Sequence, residues 1–220
     1  MQVTHDAATS DARSERAPAT RRWNLFGAAA GAAYVVLSLV GNSIVSGVTF
    51  DADPTTFRIG AGLEWLGFAL LTVFIAYLFT TLTRRDGSWL PTAVLIGGIS
   101  TIALKLSTSA AWLVTATMRV GELSGEMGQT LDDIGAVGFK MTFFTFGLFV
   151  VAAAASLLRS RLTARWVGWT GVILGLASMG TINLAFDSDM SIPPFMLSLL
   201  WIVVVSISLL VREIRQQVNT

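Results

Sequence analysis

Stretches of about 20 consecutive apolar residues recur along the whole chain, and nothing else in the sequence limits its fold as much. They lie at 23–48, 59–82, 90–118, 134–158, 166–186 and 192–211. At about 1.5 Å per residue each is long enough to cross a hydrocarbon core of roughly 30 Å as a helix. A helix satisfies its own backbone groups in lipid, which an open strand does not. Only 13% of the 220 residues are charged, where a soluble domain carries about 25%. The mean hydropathy is +0.66. The expectation is an all-α fold, a six-transmembrane-helix bundle occupying 23–212 with the lipid bilayer as its main partner.

Residues 1–22 are rich in Ala, Ser, Thr, Asp and Arg and show no apolar period. They read as a disordered tail, and 213–220 as a short second tail. The first run is too long for a signal-peptide core and is read as a retained span. Arginines set the orientation. Arg13, Arg16, Arg21 and Arg22 precede span one, Arg84 and Arg85 follow span two, Arg159, Arg161 and Arg165 follow span four, and Arg212 and Arg215 follow span six. The other side holds only Arg58 and Arg119, with acidic loops at Asp51 and Asp53, at Glu122, Glu126, Asp132 and Asp133, and at Asp187 and Asp189. Both termini are therefore expected in the cytoplasm.

Several chemistries are excluded. There is no cysteine, and the single histidine, His5, is in the tail. That removes thiolate chemistry, histidine–haem ligation and the usual zinc sites. No phosphate-binding loop, nucleophile elbow or metalloprotease motif is present. No catalytic residue, metal, cofactor or nucleic-acid partner is expected.

Trp23, Trp89, Trp166 and Trp169 lie at the arginine-rich ends of spans, where an aromatic belt belongs. The five prolines avoid span interiors. Gly97–Gly98 is the one candidate interruption of the kind that broken transporter helices show. Gly27 and Gly31 in span one, and Gly168, Gly171 and Gly175 in span five, have the spacing of close helix contacts. Such faces would also serve a helix-mediated homo-oligomer.

Charged side chains inside the spans are the candidate site. Glu64 is in span two, Lys105 in span three and Lys140 in span four. A lysine at a helix centre costs about 2.5–3.5 kcal/mol on insertion scales, so Lys105 should face other helices or a water-filled cavity. Thr101, Thr108 and Ser109 share its helix face by spacing. Asn42 in span one, with Ser38 and Ser46 a turn either side, and Asn183 in span five extend a polar interior open toward the outside. By depth Glu64 pairs more easily with Lys140, and Lys105 reaches Glu64 by extending its side chain.

The stretches "GAAAGAAYVVLSLVG", "DPTTFRIGAGLEWLGFALL" and "WVGWTGVILGLAS", with the terminal aliphatic span, carry one likeness. The chain resembles uncharacterised bacterial six-span integral membrane proteins of the domain-of-unknown-function type. The resemblance implies a bacterial cytoplasmic membrane and brings no site residues. Two functions stay open: a structural or regulatory protein whose intramembrane ion pair holds the bundle, and a small permease for an anionic or protonatable solute of unknown identity around Lys105.

Overall fold

The computed structural model describes residues 4–47, 53–117, 125–184 and 192–218. Those residues form six helices: α1 (Thr4–Gly47), α2 (Pro54–Thr83), α3 (Leu90–Thr117), α4 (Gly125–Ser160), α5 (Arg165–Leu184) and α6 (Ile192–Val218). Over their described residues, five of them, all but α5, are long and apolar enough to cross a membrane.

Helix ends follow capping chemistry rather than hydropathy, so several elements outrun the apolar runs. α2 begins at Pro54 because proline suits a first turn and the Asp53 carboxylate accepts the Thr56 backbone N–H at 3.0 Å. Bonds from Thr56 hold the Asp53 carboxyl below the usual carboxylate range. α4 begins at Gly125, well before the apolar run at 134, with Glu126 in its first turn complementing the helix dipole. α1 reaches back to Thr4, so residues 4–22, expected as a disordered tail, carry helix. Alanines 7, 8, 12, 17 and 19 give that stretch a helix propensity that its low hydrophobicity concealed.

Consecutive helices pack in chain order, and α6 closes the ring on α1, with α4 also reaching across to α2 and α6. Paired positions show that α1–α2, α3–α4 and α4–α5 run antiparallel. Gly27 lies on Tyr77 and Gly41 on Gly60 between α1 and α2. Gly97 lies on Phe149 and Gly138 on Thr108 between α3 and α4, and Gly168 lies on Leu158 and Gly147 on Gly175 between α4 and α5. One face of the bundle therefore gathers the α2–α3 and α4–α5 connections and the end of α6. The opposite face holds the end of α1 and the starts of α2 and α4.

The two ends of the ring are built differently. Near the terminal face the interior is solid: Phe74, Leu78 and Leu82 of α2 meet Leu157 of α4 and Leu209 of α6, all essentially without exposure. Lipid is as apolar as these side chains, so close packing rather than water exclusion holds the helices together. Small residues supply that closeness. A Cβ on Gly41 would sit 2.7 Å from the Gly60 carbonyl oxygen and 2.8 Å from the Glu64 nitrogen. Gly97 and Gly98 do not interrupt α3; they admit the Phe149 backbone and the Ile75 side chain.

Polar ties reinforce the terminal half. Ser206 on α6 donates to the Ala28 carbonyl and accepts the Ala32 N–H at 3.0 Å, entering the backbone ladder of α1. The Trp201 indole N–H donates to the Val167 carbonyl at 2.7 Å. Asp86, buried in the α2–α3 connection, accepts from the Ser88 N–H, the Ser156 hydroxyl and Arg159 Nε at 3.1, 3.0 and 3.3 Å. Burial alone would raise its carboxyl, but the bonds from Ser88 and Ser156 and the Arg159 charge outweigh it and hold the group below the usual range.

Toward the other face the ring loosens. α4 from Gly125 to Met141 has no fully buried side chain among its described residues, whereas Thr142, Phe143, Phe146 and Phe149 are buried. The only core cluster described at that end is Val45, Phe57 and Ala61.

Candidate functional site: a vestibule over an ion pair

The loosening leaves a cavity of about 570 Å³ between α1, α2, α3 and α4. Its origin is legible in α4, where Gly135 and Ala136 present almost no side chain to the interior. The opposite walls carry the polar groups, beside Val45. α1 contributes Asn42 and Ser46, one turn apart, and α3 contributes Lys105, Thr108 and Ser109 at helical spacing. Glu64 of α2 completes the lining.

Lys105 Nζ stands 3.2 Å from Glu64 Oε1, with side-chain exposures of 18% and 13%. Those values place the pair mostly out of solvent yet in touch with the cavity. The ammonium also lies 4.6 Å from the centre of the Phe139 ring, within cation–π range. An ammonium has three N–H donors, and one carboxylate oxygen and one ring face leave it capacity for a further acceptor. The Thr108 hydroxyl is turned back onto the Lys105 carbonyl at 3.0 Å, so the threonine offers the cavity a weaker donor than its position suggests.

Beyond the pair lies a second, narrower pocket of about 70 Å³. Asn42, Glu64, Lys105 and Phe139 line both spaces and so form the partition between them. The narrow pocket continues to Tyr34, Ser38 and Thr101 on its polar side and to Phe146, Phe195 and Leu199 on its apolar side. Thr101 is buried and donates to the Gly97 carbonyl at 2.8 Å.

Seven of the eight expected site residues can be placed. Glu64, Lys105, Asn42, Thr108 and Ser109 converge on the vestibule, and Thr101 lies just beyond it. Lys140 lines neither space. The carboxylate that depth assigned to Lys140 is paired with Lys105 instead. The reason is azimuthal: Phe139 faces inward, and the next residue on a helix is turned by about 100°. Ala136, one turn before Lys140, still borders the vestibule, whereas Phe144, one turn after it, is exposed at 45%. The Asn183 side chain lies outside the described residues, as does Asp187.

Sequence reasoning missed Tyr34, Phe139 and Gly135. Tyr34 was accessible, since it stands four residues before Ser38 and eight before Asn42 on one stripe. Phe139 carried no polar signal to single it out.

Comparison with known proteins finds no family model that matches the chain, and no match among curated proteins or solved structures. The functional reading therefore rests on this geometry alone.

Proposed function

We propose that the chain is a six-span protein of a bacterial cytoplasmic membrane, termini inside, whose outward-facing vestibule binds a small anionic or protonatable solute at Lys105. The observation that carries this is the placing of a lysine ammonium on an open, partly polar cavity of about 570 Å³, within the size range of small-molecule sites. A dry, closed pair would have argued for scaffolding. Glu64 acts as the resident counter-ion that an incoming anion displaces or shares. The solid terminal half closes the path on the other side, so the state described is open at one face, as a permease would be between transfer steps.

The sixth span is α5. It is 20 residues long, or about 30 Å, and runs antiparallel between α4 and α6. Six spans and the arginine bias then agree on one orientation.

Thermal unfolding of the purified full chain in detergent, with acetate, benzoate or phosphate against a chloride control, tests the binding. A bound anion raises Tm in a concentration-dependent way. The expected result is a rise with at least one carboxylate that disappears in Lys105→Met. A Tm that no member of the panel moves beyond chloride, or a rise retained in Lys105→Met, contradicts the proposal.

A further inference from the structure

The narrow pocket behind the ion pair says what the rest of the solute should look like. Its far wall is aromatic and aliphatic, from Phe146, Phe195 and Leu199. Two of its polar residues are polar in name only. The Thr101 hydroxyl is committed to the Gly97 carbonyl at 2.8 Å and the Thr142 hydroxyl to the Gly138 carbonyl at 3.0 Å. Cavities with apolar walls stay dry and take apolar ligands. The lining also includes Tyr34, Asn42, Glu64 and Lys105, and Ser38, whose buried hydroxyl has no hydrogen-bond partner among the described residues.

The pocket also has a side facing out of the bundle. Leu39 on α1 and Met196 on α6 line it, yet they are 41% and 42% exposed. A residue that walls a space of about 70 Å³ and keeps that much exposure turns its other side to the outside of the ring. α1 and α6 are tied at Ser206 with Ala28 and Ala32, toward the terminal face. Leu39 and Met196 lie beyond that tie, so only thin aliphatic walling separates the pocket from lipid there.

Resting on the vestibule reading, we propose that the solute is a single-chain anionic amphiphile, a carboxylate with an acyl tail. Its head sits on Lys105, with Asn42 and Ser38 as neutral donors. Its tail occupies the aromatic pocket and reaches the bilayer between Leu39 and Met196. A space of about 70 Å³, against about 570 Å³ for the vestibule, suits one narrow chain and not a headgroup or paired chains. Entry is from the membrane, and the aqueous vestibule admits the hydrated head.

The test uses the full chain in phosphatidylcholine nanodiscs and a decanoate carrying a terminal diazirine. Photolabelling followed by peptide mapping should place adducts on the α1 and α6 segments around Leu39 and Met196. Labelling should fall about tenfold in Lys105→Met and be competed by plain decanoate at far lower concentration than by acetate. Leu39→Trp and Met196→Trp, at positions exposed enough to keep the fold, should weaken decanoate competition and leave the acetate-dependent Tm rise intact. Acetate and decanoate competing equally, with both tryptophan variants silent, overturns the tail assignment and leaves the vestibule reading standing. Adducts scattered over lipid-facing helices and unchanged in Lys105→Met overturn the assignment too, and if no member of the anion panel raises Tm the vestibule reading falls with it. Equal competition by a two-chain phosphatidic acid overturns the single-chain claim.

Discussion

Lys105 and Glu64 have different surroundings from Asp86, which is buried, and the contrast predicts different behaviour. Asp86 is enclosed at the terminal face by Ser88, Ser156 and Arg159. Its carboxyl ionises more readily in the fold than in an unfolded chain. The stabilisation is therefore present at neutral pH and is lost as the pH falls below about 4. Asp86→Asn should cost about 1.5–3 kcal/mol at pH 7, the range for hydrogen bonds to a charged group. It should also remove that part of the acid limb, so wild type and variant converge as the pH drops. Tm measured from pH 7 to 3 checks both. Lys105 was conspicuous in the sequence because a charge in an apolar run has few explanations. Whether Lys105 or Lys140 takes Glu64 was not legible, because counting residues gives depth along a helix and leaves the azimuth open. Phe139 decides that azimuth, and nothing in its own chemistry announced it.

Between elements, the α1–α2 seam is the most exacting contact near the site. Gly41 meets backbone atoms, the Gly60 oxygen and the Glu64 nitrogen, and neither can yield as a flexible side chain would. Gly41→Ala should cost about 1–3 kcal/mol through overpacking and shift the helix turn that carries Glu64. Gly62, in the same helix as Gly60, has open space where its Cβ would go. Gly62→Ala should be neutral or stabilising by up to about 1 kcal/mol. Unfolding of the two variants in one detergent separates the seam from a general intolerance of glycine loss. The apolar runs marked all six helices, and the Gly27–Gly31 and Gly168–Gly171–Gly175 spacings marked real contacts, since each of those residues lies against a neighbouring helix. The helix ends were less legible. Asp53 and Pro54 start α2 before its apolar run, and an alanine-rich stretch continues α1 back through 4–22. Capping and propensity act there, and hydropathy does not register them.

At the scale of the whole molecule, an up-and-down ring of six antiparallel helices puts the α1 approach, the 84–89 connection and the end of α6 on one face. The chain has no cysteine, so single cysteines report sidedness without background. Gly125→Cys should react with a membrane-impermeant maleimide in intact spheroplasts, and Gln216→Cys only after lysis. Labelling of both from outside would mean that α5 does not cross and that the six-span arrangement fails.

The proposed function treats Lys105, at the edge of the vestibule, as a residue kept for binding rather than for the scaffold. A double-mutant cycle of Glu64→Gln and Lys105→Met, read as unfolding free energy in detergent, tests this most directly. For a site built around bound solute, each single variant should change stability by less than about 1 kcal/mol, with little coupling between them. Single losses of about 3–5 kcal/mol that the double variant largely recovers are the behaviour of a buried structural pair. That result would make Lys105 part of the scaffold and contradict the account.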